Sequence, residues 1–115
     1  MVKSFLQLEG IVVFLLSLYF YHLLSGDWII FIFLLFTPDI FMVGYFWNKK
    51  LGSILYNIGH TYITPAIILI IGSFSENNLL ILGAIILTAH IGVDRFFGYG
   101  LKYSTGFKDT HLQKV

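Results

Sequence analysis

The sequence predicts an all-α fold: an integral membrane bundle of four antiparallel transmembrane helices with a short ordered C-terminal tail, in one domain over residues 1–115. Three observations lead there. Hydrophobic residues make up 57% of the chain and charged residues 11%, with a mean hydropathy of +0.85, whereas soluble domains are about 25% charged. Four apolar stretches each approach the roughly 20 residues that a helix needs to cross the hydrocarbon core. The breaks between them are short and turn-forming, which makes successive helices antiparallel neighbours.

The first stretch, Phe5–Leu24, follows Lys3 in the manner of a signal peptide. It contains Glu9, and no small-x-small cleavage site follows it, so it reads as a retained span. Ser25 and Gly26 break the chain before the second span, Asp27–Trp47. Asn48, Lys49 and Lys50 separate that from the third, Leu51–Ser73. Phe74–Asn77 forms the last turn, and Asn78–Leu101 is the fourth span. Pro38 and Pro65 fall inside the second and third spans, where they are expected to kink the helix or leave carbonyls free. The tail, residues 102–115, is rich in glycine and aromatics, unlike a disordered tail. Whether it folds back as a cap, bringing Asp109 and His111 over the cytoplasmic mouth, stays open in the sequence.

Charge placement gives the orientation. With four spans, both termini share a side with the Asn48–Lys50 loop. That side holds all 7 basic residues, while the opposite loops carry only Asp27 and Glu76. The positive-inside rule places both termini in the cytoplasm. The absence of cysteine excludes disulfides, thiolate metal sites, iron–sulfur clusters and cysteine nucleophiles. A net charge of +1, sparsely distributed, gives no phosphate-binding face and excludes nucleic acid as a partner.

Five ionisable residues interrupt the spans: Glu9, Asp39, His60, His90 and Asp94. Polar side chains at bilayer depth are expensive and usually functional. Counting about 1.5 Å per residue from the cytoplasmic ends puts them roughly 6, 12, 13, 16 and 10 Å deep, respectively. They thus share a layer of about 10 Å, drawn from all four helices. His90 and Asp94 are spaced i, i+4 and stack on one helix face. Tyr56, Asn57, His60, Thr61 and Thr64 form a polar stripe that should face the bundle.

An imidazole and a carboxylate on one face suit a divalent metal, and equally a hydrogen-bonded pair joining helices. Nitrogen and oxygen ligands without sulfur suit Zn, Mn or Fe(II); His60, Asp39 and Glu9 at a similar depth add candidates to the His90–Asp94 pair, and Glu9, if not a ligand, serves as a catalytic base. Asn57, Arg95, Asp109 and His111 are substrate-contacting or structural. Arg95 pairs with a carboxylate, reaches lipid headgroups or clamps an anionic substrate. His22 and Trp28 read as interfacial residues.

Several motifs resemble one family. Pro38-Asp39-x-x-Met42-x-Gly44-Tyr45 is followed by Tyr56-Asn57-x-x-His60-Thr61-Tyr62. Then come His90-Ile91-Gly92-x-Asp94-Arg95-x-x-Gly98-Tyr99-Gly100-Leu101-Lys102-Tyr103 and Gly106-Phe107-x-Asp109-Thr110-His111-Leu112. Together they resemble the domain of unknown function 4260 family over nearly the whole chain. The resemblance implies a small bacterial membrane protein of four helices, multi-pass in the plasma membrane, and implies no particular activity. The order Pro-Asp, His-Thr, His-x-x-x-Asp is also similar to the membrane-bound metal-dependent hydrolases. That similarity implies Asp39, His60, His90 and Asp94 as metal ligands. Position 41 is Phe, where the hydrolase pattern carries a second acid.

The function expected is a metal-dependent membrane hydrolase acting on a lipid-linked or amphiphilic substrate that enters from the bilayer. A proton- or ion-coupled carrier stays open, and with four helices it requires a homodimer. A haem protein ligated by His60 and His90 and a purely structural membrane protein stay open too; the carboxylates are unneeded beside a haem.

Overall fold

In a computed structural model the chain is all-helical, and the structure describes residues 2–35 and 48–98. Among the described residues there are five helices and no strands: α1 (Val2–Leu23), α2 (Trp28–Leu35), α3 (Lys49–His60), α4 (Ile63–Phe74) and α5 (Asn78–Phe96). Two of them, α1 and α5, are long and apolar enough to cross a membrane. At 22 and 19 residues they are about 33 and 28 Å long. The third expected span is bent by 48° between α3 and α4, and counts as a crossing only if the pair is one broken span.

Local chemistry sets each boundary. Asp27 caps α2, its Oδ1 accepting the Ile29 N–H at 2.8 Å. Asn48 does the same for α3 through the Leu51 N–H at 2.7 Å, so Lys49 and Lys50 begin a helix instead of lying in a loop. Asn77 caps α5 through the N–H groups of Leu79 and Leu80. α1 and α4 each end with the chain turning into the left-handed region, at Ser25 (φ 55°) and Glu76 (φ 53°). In both, the following N–H reaches back five residues, Gly26 to Tyr21 and Asn77 to Gly72, and satisfies an orphan carbonyl. α5 ends earlier than the expected Leu101, because Gly98 adopts φ 92° and its N–H turns back to the Arg95 carbonyl.

Proline explains where the third span breaks. Pro65 lies in the first turn of α4, where a missing N–H leaves no gap. In an unbroken helix that N–H would bond to Thr61, four residues back. Thr61 is the residue that leaves the helix, with φ −101° and ψ 144°. The kink expected at the proline therefore falls one turn earlier.

α1 and α5 pack antiparallel and form the centre of the fold: Gly10 lies against Gly92, Arg95 and Phe96, while Leu23 and Leu24 lie along the same groove as Ile81. The buried positions of α1 are Gly10, Ser17 and Tyr21, a narrow stripe of small and polar residues. Its outward face is apolar, with Phe5, Leu8, Val12, Leu15, Tyr19 and Leu23 all exposed. This inverts the pattern of a soluble helix and suits lipid outside with close packing inside. Tyr21, Phe31, Ile86 and Ala89 join α1, α2 and α5 in a core cluster. The Tyr21 hydroxyl donates to the Asp27 carbonyl at 2.6 Å, so the buried phenol is satisfied.

Candidate metal centre

His90 and Asp94 lie one turn apart on α5, and His60 is the last residue of α3. The break after His60 lets α3 swing away from the line of α4 and lay its C-terminal end against α5. His60 and His90 are buried, and the Asp94 side chain keeps 21% of its surface exposed. His60 Nε2 stands 3.1 Å from His90 Nε2 and 3.3 Å from Asp94 Oδ2. His90 Nε2 stands 3.0 Å from the same carboxylate oxygen. The three atoms form a nearly equilateral triangle.

The tautomer of His60 follows from its other nitrogen. Nδ1 is 2.9 Å from the Tyr56 carbonyl, which can only accept, so Nδ1 carries hydrogen and donates. The Tyr56 ring stacks on the imidazole at 3.8 Å between centroids, 6° from parallel, and fixes the ring plane. In the neutral ring Nε2 is then a lone pair. It lies 3.3 Å from Asp94 Oδ2, also an acceptor, and the contact is relieved either by a hydrogen on His90 Nε2, which is within reach of both, or by a cation.

The dimensions suit a metal. Bonds of about 2.0–2.1 Å place tetrahedral ligand atoms about 3.3–3.4 Å apart, and facial octahedral ones about 2.8–3.0 Å apart. The observed 3.0–3.3 Å lies between these limits. The Tyr56 carbonyl on Nδ1 is the outer partner that ligating histidines usually have. His60 ends α3 and Asp94 is in the last turn of α5, so two helix C-termini direct partial negative charge at the cluster and favour a cation there. An ion held by these three side chains alone would keep coordination positions open, as in catalytic zinc sites.

The break supplies the surroundings. Thr64 N–H turns to the Thr61 carbonyl, which leaves the His60 carbonyl without its usual helical donor. Arg95 fills the place, its Nη2 donating to His60 O at 3.0 Å. The Thr64 hydroxyl bonds to the Ile58 carbonyl. The Arg95 guanidinium also lies over the Tyr62 ring, 5.5 Å from its centroid. Leaving one buried carbonyl unsatisfied would cost about 1–3 kcal/mol, and these side chains offset such a cost at the break between α3 and α4.

Among the described residues, the His, Asp and Glu side chains brought together are those of His60, His90 and Asp94. Glu9 is exposed on α1, level with Gly92 to Phe96 but outside the triangle. Within the expected polar stripe Tyr56 and His60 are buried, and Asn57, Thr61 and Thr64 are half-buried. His22 and Trp28 are exposed. Asp39, Asp109 and His111 lie outside the described residues. Sequence reasoning assigned no part in the site to the Tyr56 carbonyl or to Tyr62. The signals were present: Tyr56 is four residues before His60, and Tyr62 directly precedes the helix that Pro65 begins.

A model of the family described as Domain of unknown function (DUF4260) matches residues 3–115. The chain belongs to this family. The match covers both histidines, Asp94 and every described helix except the first residue of α1. No curated protein and no solved structure matches the chain. The family description carries no activity, so chemistry rests on the geometry of the triangle.

Proposed function

We propose that this member of the family is an integral membrane metalloprotein that hydrolyses an ester in a lipid-linked or amphiphilic substrate. The observation that carries the reading is the mutual 3.0–3.3 Å spacing of His60 Nε2, His90 Nε2 and Asp94 Oδ2. These atoms would hold a divalent ion (Zn, Mn or Fe(II)), with Asp39 as a further proposed ligand. An ion held there would supply polarisation of the ester and a more acidic water molecule. The water oxygen bonds to the ester carbon or phosphorus, the ester C–O or P–O bond breaks, and the departing alkoxide takes a proton. Glu9 is outside direct reach, so its part as base runs through solvent water or the Tyr62 hydroxyl. Asn57, Asp109 and His111 remain assigned to substrate or structural contacts.

The same reading has four crossings, α3 and α4 forming one, in a bacterial plasma membrane with both termini cytoplasmic. The site then lies in the cytoplasmic half of the bundle, where an acyl chain enters laterally from the inner leaflet. Reporter fusions give the test of orientation: a cytoplasmic reporter at either terminus is expected to be active, and a periplasmic one silent. Activity of a periplasmic reporter at either end would overturn this topology.

The function itself is tested on protein purified in detergent without chelator. About one equivalent of metal per chain and chelator-sensitive hydrolysis of p-nitrophenyl acyl or phosphate esters in mixed micelles are expected. A proton-coupled carrier is the second reading, favoured by an ionisable residue at the break of a span, a place where carriers build ion sites. That reading expects no metal, tolerance of chelators and proton flux into vesicles, and it requires a homodimer.

A further inference from the structure

We infer that Arg95 is a positioning residue: by donating to the His60 carbonyl it fastens the end of α3 onto α5 and so aims the His60 imidazole at its partners. The inference rests on the metal-centre reading and assigns Arg95 a role other than substrate binding. His60 comes from a different helix than His90 and Asp94, so the triangle exists only while α3 is held against α5. Beside the contacts of the His60 ring itself, a hydrogen bond across the same contact joins Arg95, the residue next to the ligand Asp94, to the backbone of the ligand His60. One bond thus links both ligand-bearing segments within a residue of each ligand.

The break is what opens the His60 carbonyl to Arg95. In a continuous helix the Thr64 N–H would take the His60 carbonyl, and here it is turned to Thr61. A guanidinium is suited to the place: its planar fork lies over the Tyr62 ring while one nitrogen reaches the carbonyl, a pairing that an ammonium reproduces poorly. Tyr62 follows His60 by two residues, so the stack holds the chain on the far side of the break.

The test compares the parent with Arg95→Gln and Arg95→Lys in detergent. Zinc affinity is read by competition with a chromophoric chelator, and ligand geometry by the visible spectrum of the Co(II) form. Arg95→Gln is expected to weaken zinc by about 10–100-fold, the usual effect of losing an outer partner, and to reduce the Co(II) bands. Arg95→Lys should recover part of the affinity. Metal-free protein labelled with 15N-histidine gives a second readout. The parent should show His60 with hydrogen on Nδ1, and Arg95→Gln should show a tautomer mixture. Unchanged zinc affinity, Co(II) spectrum and tautomer in Arg95→Gln would overturn the inference while leaving the metal centre standing. A parent that binds neither zinc nor Co(II) removes the metal centre. The tautomer comparison then decides alone whether Arg95 positions His60.

Discussion

His90→Ala is expected to leave the purified protein folded and essentially free of metal, with an affinity loss exceeding the about 10–100-fold that an outer partner contributes. The substitution removes one corner of the triangle while leaving His60 on the Tyr56 carbonyl and Arg95 on the His60 carbonyl. The informative companion is Asp94→Asn. An amide oxygen still accepts a hydrogen bond at the same position, so a network serving only to join helices would keep its stability. A metal site loses its only charge among the three ligands and should lose most of its affinity. Inductively coupled plasma mass spectrometry on both variants, beside thermal unfolding without metal, separates the two. Near-parental metal in folded Asp94→Asn would contradict the proposed ligand set. Binding should also weaken as pH falls, because imidazole ligates only when deprotonated and protons compete for the same lone pairs.

The features legible in the sequence were those governed by spacing along one helix. His90 and Asp94 are four residues apart and had to share a face. Counting rise per residue placed His60 at a depth from which it reaches them. What counting cannot supply is azimuth. Glu9 has the depth of the α5 terminus, yet its neighbour Gly10 is the residue turned onto α5, and Glu9 is exposed. The inward stripe of α1 consists of Gly10, Ser17 and Tyr21, which a search for apolar periodicity passes over in a helix whose outward face is apolar. The break also needed more than a proline. Pro65 marks a disturbance, but the donor it lacks would serve Thr61, so the chain departs at Thr61 and its freed carbonyls recruit Arg95 and Thr64. Those two partners are distant from the proline in role, and only three-dimensional contact reveals them.

Gly92→Leu is expected to be among the most damaging substitutions away from the ligands. A Cβ at Gly92 would stand 2.7 Å from the Gly10 carbonyl oxygen and 2.9 Å from the Phe14 nitrogen. These are backbone atoms and cannot rotate aside, so α1 and α5 must separate. Overpacking of this kind costs about 1–3 kcal/mol, and more where backbone is the obstacle. Gly10→Leu meets the same crossing from the other helix, 2.6 Å from the Gly92 oxygen and 2.8 Å from the Phe96 nitrogen. Both should lower the unfolding midpoint in detergent or SDS, and Gly92→Leu should also weaken metal binding. Gly92 lies between His90 and Asp94 in sequence and on the opposite face of α5, so a helix pushed off α1 carries both ligands with it. Gly83→Ala is the control. Nothing lies within 4 Å of a Cβ there, and removing a glycine from a helix interior should stabilise by about 0.5–1 kcal/mol. If Gly83→Ala and Gly92→Leu shift the midpoint alike, the close α1–α5 crossing does not hold the fold together. If Gly92→Leu alone unfolds the protein early and releases its metal, the α1–α5 contact is what holds the two α5 ligands where α3 can meet them.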